Sequence, residues 1–107
     1  MTFSRGDVDL VRVPNSDQIT FKKRPALVIQ ANDVPTGLPQ RIVACITLNL
    51  GRTDPTRVVV RRASVEGVAM GLLTDSCLMT DNLATVLDRD VERVIGRCPS
   101  MDVSTRR

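Results

Sequence analysis

What most constrains this chain is how its apolar residues are parcelled. They fall in short, valine-rich runs, each closed by turn formers, with no sustained helical period anywhere. From Asp7 to Val13 the residues alternate, Val8, Leu10 and Arg12 against Asp7, Asp9 and Val11, which predicts a strand with one half-buried face. Pro14-Asn15-Ser16-Asp17 ends that strand, and a polar loop runs on to Lys23. Pro25 to Ala31 is a β-branched run with proline at its head, where a strand tolerates one. Asn32 to Gln40 is loop-like. Arg41 to Leu48 is the most continuous apolar segment and predicts a central strand buried on both faces. Thr56 to Arg62 predicts another strand behind the turn formers Gly51 to Pro55, whereas Ser64 to Thr74 is punctuated by glycine and carries no clear pattern. Ser76 to Thr80 and Leu83 to Val86 are strand pieces interrupted at Asp81-Asn82, two residues expected to pair with backbone at the break. Leu87 to Val91, with Asp88 as cap, predicts one helical turn, and Glu92 to Arg97 a closing strand ended by Pro99. The expected fold is mainly β: a small antiparallel barrel or sandwich over residues 1–99, with a polar, flexible tail at 100–107.

Composition narrows the chemistry. At 107 residues and 42% apolar the chain builds one core, and with only Phe3 and Phe21 as aromatics that core is aliphatic. Stacking of nucleobases on aromatic platforms has almost no material. There is no histidine, which argues against a zinc site and removes the usual general base. Cys45, Cys77 and Cys98 sit in apolar runs without a C-x-x-C spacing and read as small buried hydrophobes, so neither a metal nor a cofactor is expected. The net charge of +3, carried by arginine far more than lysine, suits a polyanionic partner. Met1 to Asp7 carries charge and no apolar stretch of the kind a leader needs, and no run reaches membrane-spanning length, so a cytoplasmic protein without membrane contact is expected.

The order of several short motifs resembles the MazF/PemK toxins. Arg5-Gly6-Asp7-Val8 opens a strand; a proline turn, Ser16-Asp17-Gln18 and Lys22-Lys23-Arg24-Pro25-Ala26-Leu27-Val28-Ile29 follow. Ile42-Val43-Ala44-Cys45-Ile46-Thr47 is similar to the family's third strand, which ends in a functional threonine. Gly71-Leu72, the run Ser76 to Val86 and Val94-Ile95-Gly96-Arg97 continue the pattern to its closing strand, so that the resemblance covers residues 4–98. It implies an SH3-like, CcdB-like antiparallel barrel with one or more short helices. It also implies a homodimer, a cognate antitoxin protein as partner, and metal-independent cleavage of single-stranded mRNA to 2′,3′-cyclic phosphate and 5′-OH ends. There are two departures. Ala84 stands where many members carry arginine, which predicts a missing phosphate or dimer contact. The chain also ends soon after Pro99, which predicts a C-terminal helix that is reduced or absent.

Transesterification requires that the 2′-OH lose a proton, that charge building on phosphorus be stabilised, and that the departing 5′ oxygen be protonated. By the resemblance Arg24 is the candidate for the second task, its planar fork matching phosphate oxygens, and Thr47 a second catalytic candidate through its hydroxyl. Lys22 and Lys23 are candidates for flanking phosphates, and Ser16, Asp17 and Gln18 for RNA contacts in the loop over the groove. Arginine holds its proton too tightly to be an easy base, so the base is Asp17, another carboxylate, or water. Two competing readings keep the same barrel without catalysis: a CcdB-like gyrase poison, and an inactive RNA-binding or antitoxin-titrating paralogue.

Overall fold

The computed structural model describes residues 3–30, 39–48, 50–51 and 57–99. Six strands form one antiparallel sheet: β1 (Asp7–Pro14), β2 (Phe21–Val28), β3 (Gln40–Thr47), β4 (Arg57–Val60), β5 (Ser76–Leu87) and β6 (Val91–Arg97), in the order β4-β5-β3-β2-β1-β6. A short helix, α1 (Val65–Ala69), links β4 to β5, and a 3-10 turn (Asp88–Asp90) links β5 to β6. The mainly β, antiparallel expectation therefore stands. The predicted tail at 100–107, and with it the reduced C-terminal helix, lies outside the described residues, as do Ala31 to Leu38 and Arg52 to Thr56.

The two faces of the sheet hold separate cores. On one, Val8, Leu27, Ala44 and Ile46 surround Met70 and Leu72, and Val60 of β4 and Ile95 of β6 close in on the same cluster. Contributions from both edge strands to one cluster mean that the sheet curls into a barrel around this face, leaving less open edge. The α1 segment plugs the barrel. Ser64 caps it, its hydroxyl accepting from the Gly67 N–H at 3.0 Å, and Gly71 turns the chain with φ of 72° against the Ile95 carbonyl, where a Cβ would collide. On the outer face Val11, Ala26, Val28, Val43 and Val91 form the second core, flanked by Phe3, Val13, Ala84 and Val86.

Three differences from the sequence reading have physical causes. First, β2 starts at Phe21, so Lys22 to Arg24 belong to a strand and Pro25 sits inside it. Pairing with β1 runs from Phe21 to Leu27, but pairing with β3 begins only at Ala26, so Pro25 occupies a position with a partner on one side and its missing N–H costs little. Second, β5 is continuous through Asp81-Asn82, yet its pairing with β3 slips: Ala44 faces Leu83 and Ile46 faces Leu78, leaving Met79 to Asn82 opposite Cys45 alone. The interruption read from the sequence is a bulge. Third, Asp9 is fully buried. Alternation puts it on one face with Val11, as read, but that face is covered by a second core rather than solvated.

Asp9 is buried because Arg41 is buried with it. Arg41 Nη1 donates to Asp9 Oδ2 at 3.1 Å, while Nε and Nη2 donate to Asp88 Oδ1 at 3.1 and 2.9 Å. The guanidinium also lies over the Phe3 ring, 4.7 Å from its centroid. Asp88 thus serves as an ion-pair partner of β3; its side chain does not cap the 3-10 turn.

Candidate functional site

Period-two alternation along β2 and β3 sorts the candidate residues by face. On β2, Ala26 and Val28 belong to the outer core, so Arg24 and Lys22 continue the same face beyond it. On β3, Val43 belongs to the outer core and Cys45 and Thr47 continue in step. These extensions meet in a groove of about 730 Å³ that Lys22, Arg24, Cys45, Thr47 and Asp90 all line, with Val11 and Ala26 on its floor. The bulge opposite Cys45 opens the wall on the β5 side, where Met79 and Asn82 face the groove.

The groove is electropositive at one end. Arg24 is half-buried, and neither it nor Lys22 makes a side-chain hydrogen bond or ion pair among the described residues. Lys23 points away and is committed elsewhere, its Nζ 2.9 Å from Glu92 Oε1. Cys45 is half-buried, and burial pushes its thiol pKa up, so it is a neutral thiol rather than a nucleophilic thiolate near neutral pH. Cys77 and Cys98 are buried in the barrel, in keeping with the packing role expected of them.

Ser16, Asp17 and Gln18 do not line the groove; they occupy the exposed hairpin loop beyond its Pro14 and Lys22 end. Asp17 organises that loop. Its Oδ1 accepts from the N–H groups of Ile19 and Thr20 at 2.9 and 3.0 Å, and its Oδ2 from the Thr20 hydroxyl at 2.9 Å. These bonds hold its carboxyl below the ordinary carboxylate range. Gln18 follows with φ of 59°.

The structure thus brings Arg24, Thr47 and Lys22 together and separates Lys23, Ser16, Asp17 and Gln18 from them. Sequence reasoning missed Asp90 and the buried Arg41 network, and read Asn82, which lines the groove, only as a partner for backbone at a strand break. Arginine at the head of an otherwise apolar run was the available signal for the Arg41 network. For Asp90 the only hint was its place at the end of the expected helical turn.

The fold has counterparts among solved structures. The chain matches the Mycobacterium tuberculosis toxin MazF-mt6 at 26% identity over 94% of this chain and 88% of that one, with a TM-score of 0.67. An endoribonuclease in complex with its cognate antitoxin, from a mycobacterial species, matches at 18% identity over 98% and 88% of the two chains, with a TM-score of 0.67. MazF in a MazE–MazF crystal structure from Deinococcus radiodurans aligns at 13% identity over 99% and 90%, with a TM-score of 0.69. At such identities the last two establish the fold alone. Comparison with curated proteins returns no significant match. The family model for the PemK-like, MazF-like toxin of type II toxin-antitoxin systems matches residues 4–105, nearly the whole chain, and the chain belongs to that family.

Proposed function

We propose that this toxin is an endoribonuclease that cleaves single-stranded mRNA without a metal ion, leaving 2′,3′-cyclic phosphate and 5′-OH ends. The observation that carries this reading is the convergence of Arg24, Lys22 and Thr47 on one open groove, with the Arg24 guanidinium unengaged by protein groups among the described residues. An arginine left unpaired at a groove wall is poised for an anion. In this reading Arg24 binds the scissile phosphate and stabilises the charge that grows on it, Thr47 donates its hydroxyl to the same group, and Lys22 holds a flanking phosphate. The hairpin loop carrying Ser16, Asp17 and Gln18 continues the RNA path past Lys22. Lys23, tied to Glu92, contributes long-range charge only. That the reaction needs no metal ion is what membership of the family implies.

In this reading the toxin acts in the cytoplasm as a homodimer, as its family implies, and is neutralised by a cognate antitoxin, in line with the antitoxin-bound mycobacterial and Deinococcus structures it resembles. Val65 at the start of α1 and Leu73 after its end, 79% and 90% exposed, supply apolar surface of the kind such contacts cover.

One observation favours a second reading. Ala84 lines the groove where the family pattern carries arginine, so the groove has less positive charge to spend on a substrate. An inactive, antitoxin-titrating paralogue would tolerate that loss. Incubation of purified protein with long single-stranded RNA in EDTA separates the two. Discrete fragments ending in cyclic phosphate, reduced at least about 10²-fold in rate by Arg24→Ala, are expected for the enzyme. Intact RNA from a folded, antitoxin-free protein would move the assignment to the titrating role.

A further inference from the structure

The groove holds one group that the mechanism above leaves unused. Asp90 ends the 3-10 turn and is the only acidic residue among the described residues that line the groove. Its carboxylate makes no hydrogen bond or ion pair within the described structure, so it is available as an acceptor.

Its placement is fixed from behind. The preceding Asp88 is clamped by Arg41 from β3, and the Asp88 N–H donates to the Pro39 carbonyl at 2.8 Å. The following Val91 is buried and pairs with Val11 of β1. Val11 pairs on its other side with Arg24. The turn therefore stands two strand spacings from Arg24, about 10 Å at the backbone. Asp90 and Arg24 both line the same groove. The other carboxylate suggested by the sequence, Asp17, is occupied by its own loop and lies outside the groove.

We infer that Asp90, set in place by the Arg41–Asp88 clamp, is the groove's proton acceptor for the 2′-OH of the RNA. The inference rests on the ribonuclease reading. In the step, the 2′-OH proton passes to the Asp90 carboxylate as the 2′ oxygen forms its bond to phosphorus and the P–O5′ bond breaks. The departing 5′ oxygen takes a proton from a water molecule, and the hydroxide left behind removes the proton from Asp90, restoring the carboxylate. The charged groups that share the groove with Asp90 are Arg12 of β1 and Lys22 and Arg24 of β2; β3 and β5 add no charge, and the turn itself carries Asp88 and Arg89. The Cys45 thiol titrates on the alkaline side, since burial raises it, so an acid limb in the rate profile belongs to a carboxylate.

The test is single-turnover cleavage of one RNA by wild type, Asp90→Asn and Asp90→Glu from about pH 4 to 9. Binding to the same RNA made uncleavable by a 2′-deoxy sugar at the cut site is measured alongside. Asp90→Asn should lose about 10²-fold or more in rate and lose the acid limb, with binding of the uncleavable RNA unchanged within about threefold. Asp90→Glu should recover part of the rate with the limb displaced. If wild type cleaves and Asp90→Asn keeps both rate and acid limb, the assignment fails while the ribonuclease reading survives. Weakened binding or shifted cut sites with the limb intact would make Asp90 a base-reading residue and overturn the proton-acceptor role. No cleavage by wild type would overturn the ribonuclease reading and this step together.

Discussion

Replacing Arg41 by methionine keeps much of its volume and apolar contact but removes the cation from a fully buried site. Asp9, equally buried, then loses the donor to Oδ2, while its Oδ1 already accepts no hydrogen bond. Removing one partner of a buried pair costs about 3–5 kcal/mol, because the other charge is stranded. Loss of the cation–π contact with Phe3 adds roughly 0.5–2 kcal/mol. A domain of this size is stable by about 5–15 kcal/mol, so Arg41→Met should consume about a quarter of the total or more. The pH dependence follows from Asp9. Burial raises its carboxyl above the ordinary 3.8, Arg41 opposes that by charge and hydrogen bond, and Asp7 and Asp88 reinforce it. A folded-state pKa raised above the unfolded one favours folding fully below the unfolded value, and that advantage fades as pH rises through the folded value. Without Arg41 the opposing influences vanish and the folded value climbs further. The deficit of Arg41→Met should therefore be larger at neutral pH and shrink as pH falls toward the ordinary carboxyl value of 3.8. Urea melts followed by far-UV circular dichroism suit a chain without tryptophan or tyrosine. The double variant Asp9→Asn/Arg41→Met, which removes the stranded charge, should recover part of the loss. A single variant within about 1 kcal/mol of wild type at pH 7, or a double variant no better than the single, would refute the reasoning.

Three further outcomes are expected. Lys22→Ala should weaken RNA binding and lower the salt slope by about one, whereas Lys23→Ala, whose ammonium already has Glu92, should do markedly less; binding measured across a salt series compares them. Asp17→Asn should speed amide exchange at Ile19 and Thr20. In wild type the same protection, present above the ordinary carboxyl value of 3.8, should fade as pH falls through the lower folded-state value, readable by hydrogen exchange. Gly71→Ala should destabilise by about 1–3 kcal/mol, since its φ is positive and the new Cβ would meet the Ile95 carbonyl; the drop in thermal midpoint checks it.

Most strands were legible because apolar runs and turn formers are local signals. The failures have a common cause in partners distant along the chain. Alternation placed Asp9 on the exposed face of β1, but its burial depends on Arg41, thirty-two positions later, and on the second core that covers that face. Pro25 looked like a strand start because a proline's tolerance depends on which neighbouring strand is present at that level, and only the sheet order reveals this. The break at Asp81-Asn82 was visible, but as an end rather than a bulge, since local polarity does not say whether the chain resumes pairing. At the site, Arg24 and Thr47 were named through family likeness, and their spacing along the strands agrees with one shared face. Asp90 was not legible, because a carboxylate in a short turn is ordinarily solvated surface.

The same outer face carries both the buried ion network and the groove, and this order along the strands has a consequence. From one end to the other, β3 presents Arg41, Val43, Cys45 and Thr47 on that face, and β2 presents Val28, Ala26, Arg24 and Lys22. An apolar belt thus separates a saturated arginine from an unsaturated one. Arg41 is surrounded by carboxylates and an aromatic ring; among the described residues Arg24 has no such partner. The belt keeps the two charge systems apart and holds the 3-10 turn and the β2 strand at fixed spacing, since Val11 and Val91 bridge them through β1. Loosening the Arg41 end should therefore reach the groove through Asp88 and Asp90, on the opposite side from Arg24. Asp88→Asn, which weakens the clamp without stranding a buried charge, should accordingly lower the cleavage rate several-fold with little change in RNA affinity or in the Arg24-dependent contacts. Rate and affinity falling together would instead mean that the clamp shapes the whole groove.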